Sequence, residues 1–354
     1  NYKEKAVTDP IFIKINDWYS DKDRALTYRY YNSLRNFNYP SIIYKKNSDS
    51  TLTSSIYLTP KERFSLGLDA DISHSNIQNF GMGFGLSTGV RNIFKGTEIL
   101  DFGIKNTLGA SRNSADRNDR FFNIFELGGD IKISFPRIIS PFSLEKIIAR
   151  DMDPNTQLTF GTTLQKNIGL DKQYFGTTFE YKWRPSDKKR FNFKLIDLEF
   201  VNNKNIENYF NVYRNSYDRL NTIANKFRLS DNYYDENDNL IIPFGTNLFI
   251  ENFENNLIST LTEDEQAALR SISERRNRLT VNNLILGSSL SLNYNNQENL
   301  LDEDFYQLRW KIEWVGNLLN SFLKTTSEKN IYGNYEINGV TPSQYIKTDI
   351  DLIK

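Results

Sequence analysis

The sequence has no cysteine and a single histidine, His74, among its 354 residues. No disulfide can staple the fold. Thiol nucleophiles and Cys/His zinc sites are excluded, and a Ser–His hydrolase would have to be built on His74 alone. Net charge is also missing: 44 Lys+Arg balance 44 Asp+Glu. No basic surface therefore argues for nucleic acid. Mean hydropathy is −0.58, and no apolar run approaches the roughly 18 residues that a membrane-crossing helix needs. Membrane strands are not excluded, because each needs only about 9–11 residues, every second of which faces a polar lumen. The chain opens at Asn1 without a charged leader followed by an apolar stretch, so a signal or lipidation segment is expected to be missing from it.

What the sequence does have is aromatic residues, 14% with 20 Tyr and 25 Phe, and a persistent two-residue alternation. Phe64, Leu66, Leu68, Ala70 and Ile72 alternate with Ser65, Gly67, Asp69, Asp71 and Ser73. Successive strand residues point to opposite faces, so this segment has one apolar face and one small or acidic face. The next run sets Phe80, Met82, Phe84, Leu86 and Val90 against Gly81, Gly83, Gly85, Ser87 and Gly89. Glycine weakens strands and usually marks close approach or bending. Further runs follow around Leu100–Leu108, Phe121–Ile133, Leu158–Leu164, Phe175–Trp183, residues 190–201, residues 281–294, Tyr306–Trp314 and Tyr345–Lys354. In residues 190–201 the alternation switches phase between Leu195 and Leu198, which predicts a bulge.

A soluble β-sandwich also alternates. Ten rows of large apolar side chains would overfill one sandwich core, however, and the opposite faces carry Gly, Ser and charges of both signs, as a hydrated lumen would. The reading is therefore all-β: an antiparallel transmembrane β-barrel over residues 61–354, with aromatics suited to interfacial girdles. Turns after residues 90, 184 and 294 are short and alternate with longer connections. Residues 136–155 break this rule, being long and containing Pro136, Pro141 and Pro154. Residues 201–280 carry helical spacing at Ile206, Tyr209, Phe210, Tyr213, Tyr217, Leu220 and Ile223. Thr262 precedes Glu263–Arg278, with Glu265 in the capping-box position, so a helical cap over the outer mouth is expected.

Residues 1–60 read as a small α+β piece. Ser20 is an N-cap with Asp21 and Asp23 in the first turn, and Leu26, Tyr30 and Leu34 share one helix face. Tyr39–Lys45 and Thr51–Leu58 are predicted strands, with Pro60 marking a boundary.

Several of these stretches together resemble the outer-membrane assembly-factor superfamily of BamA/TamA type, the bacterial surface antigen family. They are Thr51–Leu58 running into Arg63–Ser73, the Gly-rich second strand, and the turn Arg91-Asn92-Ile93-Phe94-Lys95-Gly96-Thr97-Glu98. Phe135-Pro136-Arg137 with Pro141-Phe142, and Tyr181-Lys182-Trp183-Arg184-Pro185, are also similar. The resemblance implies a sixteen-stranded barrel in the outer membrane of a Gram-negative bacterium. Residues 1–60 would be the C-terminal part of a periplasmic polypeptide-transport-associated (POTRA) domain. About ten strands are counted and the family's Arg-Gly-Phe motif has no match, so further strands are expected beyond Lys354. The helical outer loop is most similar to TamA-like (TamL) translocation-and-assembly-module members of Bacteroidetes-type bacteria.

In function, the resemblance implies an assembly factor that folds and inserts client β-barrels through a lateral gate. The first strand would form one side of that gate: Phe64, Leu66, Gly67, Leu68, Asp69, Ala70, Asp71 and Ile72. Unfolded outer-membrane proteins would be its clients, periplasmic or lipoprotein accessory subunits its partners, and phospholipid and lipopolysaccharide its surroundings. A secretion pore or passive channel is the alternative. No catalytic residue, metal or cofactor is expected. Asp69, Asp71, Asp101, Glu126, Asp130, Glu180 and Glu313 are expected to balance Lys105, Lys132, Lys182, Arg184, Arg309 and Lys311 across a lumen wall.

Overall fold

The computed structural model describes residues 2–74, 80–110, 122, 124–144, 146–166, 170–227, 230–258, 261–299, 301–316, 335–337, 340 and 342–354. Phe121, placed on a strand by its spacing, lies outside them. The chain begins with α1 (Glu4–Thr8), α2 (Asp21–Ser33), and the antiparallel pair β1 (Phe37–Lys46) and β2 (Leu52–Pro60). The Ser20 hydroxyl accepts the Asp23 N–H and caps α2. Tyr30, Tyr31, Leu34 and Phe37 are buried together, with Phe12, Ile56 and Leu58 packed around them. Each such side chain is worth about 1.5–3 kcal/mol when fully buried. β2 runs on through Pro60, which pairs with Phe37. A proline is tolerated there because it sits at the end of an edge strand.

Next come β3 (Phe64–Ser73), β4 (Phe80–Arg91), β5 (Ile99–Ala110), β6 (Ile124–Phe135), β7 (Asn155–Lys166), β8 (Lys172–Ser186) and β9 (Lys189–Asn203). The helices α3 (Tyr209–Val212), α4 (Arg214–Ala224), α5 (Phe244–Glu254) and α6 (Glu263–Thr280) precede β10 (Asn283–Asn295), β11 (Gln307–Val315) and β12 (Tyr345–Ile353). β3 to β12 form one ten-stranded antiparallel sheet in which sequence neighbours are spatial neighbours, leaving β3 and β12 at its two edges. The predicted phase switch is a register shift around Leu195 and Ile196, where Phe179 pairs with Ile196 but Glu180 with Lys194.

Register turns the alternation into two faces. Leu66, Thr88, Phe102, Ile131 and Phe160 lie in one row across five strands, and Ser65, Gly89, Asp101, Lys132 and Thr159 in the row facing the other way. The polar face is concave: a cavity of about 450 Å³ on it is lined from five strands, β5 to β9, by Lys105, Glu126, Asp130, Thr159, Tyr174 and Glu199 among others. The apolar face is left uncovered, with Leu66 71%, Ile131 46% and Phe160 49% exposed.

The connections β4–β5, β6–β7, β8–β9 and β10–β11 meet at one end of the sheet, termed the base. The helices between β9 and β10 sit at the opposite end. They have a core of their own: Phe210, Leu220, Leu240, Phe249, Ile250 and Leu269 are among its buried residues, and Leu170 of the β7–β8 connection joins it. The helical spacing of residues 206–223 is split at Tyr213, whose backbone (φ −97°, ψ 68°) separates α3 from α4. Thr262 and Glu265 form a complete capping box on α6. Because cap and sheet bury separate residues, Phe249→Ala is expected to cost about 3–5 kcal/mol in the cap alone. Hydrogen exchange should accelerate in α4, α5 and α6 while β5–β8 amides stay unchanged.

Candidate functional site

The sheet's first edge is the segment singled out by sequence. β3 pairs with β4 in unbroken register from Phe64–Val90 to Ser73–Gly81 and with no strand on its other side among the described residues. Phe64, Leu66, Leu68 and Ile72 stand on the apolar face, all at least two-thirds exposed. Ala70 shares that face opposite Phe84, while Gly67, Asp69 and Asp71 share the polar one opposite Ser87, Gly85 and Gly83.

The glycines of β4 have a steric cause there. A Cβ on Gly83 would lie 2.2 Å from Asp71 Oδ2, and one on Gly85 would lie 3.3 Å from Asp69 Cβ. The two carboxylates thus lie over a strand stripped of side chains, and Asp71 reaches Lys105 on β5, 4.0 Å away. Charge pairing continues around the wall through Lys132–Asp101 (3.4 Å), Lys182–Glu180 (2.5 Å) and Lys194–Asp197 (2.8 Å). Lys311 pairs with Glu313. Arg309 stands in register between Asn293 and Asp351, and Glu126 lines the cavity. Carboxylates and cations therefore neutralise one another along the wet face, between strands at Asp71–Lys105 and Asp101–Lys132 and within one strand at the other three pairs, instead of converging on one point.

The Arg91–Glu98 turn is the second element, and its geometry is unusual. Asn92, Lys95 and Thr97 have φ of 57°, 66° and 65°. A β-branched residue in that region costs on the order of 1–3 kcal/mol and persists only where its surroundings dictate it. Here they do. The Thr97 N–H donates to Asn92 Oδ1 (3.1 Å), the Asn92 N–H to the Glu98 carbonyl (2.6 Å), and Asn36 Nδ2 to the Thr97 carbonyl (2.8 Å). Arg91 Nη1 donates to the Glu62 carbonyl (2.8 Å), tying the turn to the start of β3. Phe94 is half exposed at its tip.

Gly96 is not among the residues with positive φ. Its lack of a side chain serves Glu98 instead, since a Cβ would sit 2.3 Å from Glu98 Oε1. The Glu98 carboxylate is fully buried. It accepts the Gly96 N–H at 2.9 Å and Arg137 Nη2 at 2.6 Å, while Arg137 Nη1 donates to the Gly96 carbonyl at 3.1 Å. Burial alone would raise its pKa, but the hydrogen bonds from Arg137 and the Gly96 N–H outweigh that and hold it below its ordinary 4.5.

Arg137 opens the β6–β7 connection, whose length contradicts a simple tight turn. The reason is docking. Tyr30 on α2 donates to the Pro136 carbonyl (3.1 Å), Ser33 to Asp153 (2.7 Å), and Arg29 to the Asp151 carbonyl (3.1 Å) and to Asp187 (3.3 Å) in the β8–β9 turn. Arg150 donates back to the Ile11 carbonyl (3.1 Å) and lies 4.9 Å over the Phe12 ring. The N-terminal piece is thereby latched to three base connections. Burial, with smaller contributions from the Asp153 and Asp9 charges, pushes the Tyr30 hydroxyl up to about 12, so it remains a donor across the physiological range.

The sequence singled out the turn and the Phe135-Pro136-Arg137 stretch but did not pair them. Arg137 and Asn36 reach the turn only when segments 39 and 61 residues apart are brought together, and Arg29 reaches its partners across 122 and 158 residues. The misfit length of residues 136–155 was a second signal. Glu98→Ala should cost about 2–3 kcal/mol by orphaning a charged donor and a buried N–H, and Gly96→Ala should loosen the same contact. Exchange at Asn36, Phe37 and Thr97 in either variant is the readout. A carboxylate with a depressed pKa contributes fully above its unfolded value and loses that contribution as pH falls through the folded one. The latch should therefore hold down to the ordinary carboxylate range and weaken only below it.

Among solved structures, the chain is similar to BamA from Haemophilus ducreyi lacking POTRA domains 1–3, with a TM-score of 0.46 and 8% identity over 89% of this chain and 46% of that one. It is also similar to CdiB from Acinetobacter baumannii, with a TM-score of 0.28 and 8% identity over 90% of this chain and 62% of that one. The chain thus spans less than half of the BamA chain and under two thirds of the CdiB chain. No family model and no curated protein matches the sequence.

Proposed function

We propose that this chain forms part of the wall of an outer-membrane β-barrel that assembles other barrel proteins, with β3 as the edge that receives an incoming strand. The supporting observation is the combination of an exposed apolar face with an edge strand that, among the described residues, is paired on one side only. A contiguous apolar face of this size is a liability in water but is at home against lipid tails. Within hydrocarbon, unpaired backbone N–H and C=O groups cost several kcal/mol each, so a lipid-facing edge must pair with another strand. A client strand gains the same main-chain bonds by adding to that edge. β3 is suited to the exchange because its side chains from Leu68 to Ser73 are exposed on both faces, so release loses little burial.

The N-terminal piece fits the same reading. Latched beneath the turn that follows β4, it would hold a periplasmic POTRA arm at a fixed angle to the edge strand. Unfolded outer-membrane proteins are the proposed clients, and accessory subunits would act on the arm. Localisation in a Gram-negative outer membrane belongs to this proposal.

The test is photo-crosslinking in cells, with the full-length protein carrying a benzophenone side chain at position 66 or 70 on β3, or at Ile131 in mid-wall. Assembly through the edge predicts capture of newly made barrel proteins from 66 and 70 and none from 131. Depletion should lower their levels in the membrane. No capture at any position, with steady ion conductance in reconstituted bilayers and no effect of depletion, would replace this reading with a passive channel or secretion pore.

A further inference from the structure

The β6–β7 connection does more than meet α2. Phe135, Thr156 and Tyr181 pair in register across β6, β7 and β8 and stand on the apolar face, two residues along from Ile133, Leu158 and Phe179. The connection folds back over this row. The Ile139 N–H donates to Thr156 Oγ1 (2.9 Å), the Thr156 hydroxyl to the Arg137 carbonyl (2.8 Å), and the Tyr181 hydroxyl to the Ile139 carbonyl (2.9 Å). Thr156 is fully buried and Tyr181 nearly so. Arg137 and Ile139 therefore hold the start of the connection against the outside of the wall at the base, not across its mouth.

From that position the connection presents apolar side chains away from the protein: Phe142 is 77% exposed, Ile147 69% and Ile139 39%. Next to Ile147, Lys146 is exposed. The patch adjoins the exposed face of the wall. It also shares the base end with an aromatic row in which Trp183 stacks on Phe191 (centroids 5.1 Å apart), which pairs through Leu292 with Trp310. Aromatic rings at the end of an apolar band mark the level of lipid headgroups.

We infer that the β6–β7 connection is an interfacial anchor, whose Phe142 and Ile147 insert into the phospholipid leaflet on the base side while Lys146 meets its phosphates. The occupant is lipid because the patch adjoins the apolar face of the wall, because it shares the base end with the aromatic row, and because its exposed cation neighbours its apolar tip. A peripheral segment with apolar residues on one side and a basic residue at its edge binds the headgroup boundary by these two forces. Since the segment also holds Tyr30, Ser33 and Arg29, it would fix the N-terminal piece at a set height above the bilayer. This inference rests on the membrane-wall reading.

The absence of native cysteine makes the test direct. Phe142→Cys, Ile147→Cys, Leu68→Cys and Asn47→Cys are each labelled with a nitroxide in the full-length protein, reconstituted into phosphatidylethanolamine/phosphatidylglycerol vesicles. Collision with oxygen is then compared with collision with a water-soluble nickel chelate. Positions 142 and 147 should favour oxygen several-fold, as position 68 on the wall does, while position 47 on the β1–β2 turn favours nickel. If 68 favours oxygen but 142 and 147 behave like 47, the anchor is overturned and the wall stands. If 68 behaves like 47, the membrane reading falls and the anchor with it. Shielding of 142 and 147 from both reagents would mean a protein occupant and would also overturn the inference.

Discussion

Every feature of this chain answers to the pairing of backbone hydrogen-bonding groups. Ten consecutive strands satisfy each other in one ladder, and each central strand has both of its edges occupied. The two-residue period then distributes side chains without choice: an apolar row outside, and a row of glycine, serine and paired charges inside. Because main-chain bonds hold the ladder, the side chains of the wall need not form a buried core, and most of them do not. Buried apolar residues concentrate instead in the N-terminal piece and in the helical cap. The same constraint makes the edge special. Among the described residues β3 has a partner strand on one side only, and its side chains from Leu68 to Ser73 are exposed on both faces.

The base of the sheet shows the opposite strategy. The buried Glu98 carboxylate pairs with Arg137, whose side chain is half exposed, and Gly96 supports both partners; Thr97 is held in a backbone conformation that it would not choose alone. Such a pair contributes little net stability compared with well-packed apolar residues, but removing Arg137 would leave the Glu98 carboxylate buried and unpaired, which is costly. It therefore serves geometry more than energy. It fixes the turn after β4 against Asn36 and the β6–β7 connection, so that the N-terminal piece, the start of β3 and the outer surface of the wall share one rigid joint.

The wall was the most legible part of the sequence. Tyr306–Trp314 and Phe64–Ser73 alternate without a fault, and even the bulge near Leu195 announced itself as a phase change. Local capping chemistry was equally readable at Ser20 and Thr262, because donor and acceptor lie three residues apart. α5 was missed. Leu248, Phe249 and Ile250 form a short apolar run that fits either period, and Gly245 and Pro243 argue against a helix. Gly245 is there because a side chain would strike the Tyr233 carbonyl, a long-range cause with no local signature. The latch was hidden for the same reason: Glu98 and Arg137 each stand in a stretch that the sequence singles out, but nothing local pairs them, and Asn36 and Arg29 are ordinary polar residues until the chain folds.

An edge that exchanges strands must be held less firmly than the wall it borders. Hydrogen exchange resolved by residue, on the full-length protein in lipid nanodiscs, measures this. Leu66, Leu68 and Ala70 amides should exchange orders of magnitude faster than those of Ile131, Phe160 and Phe179. Equal protection of β3 and β6–β8 would contradict it.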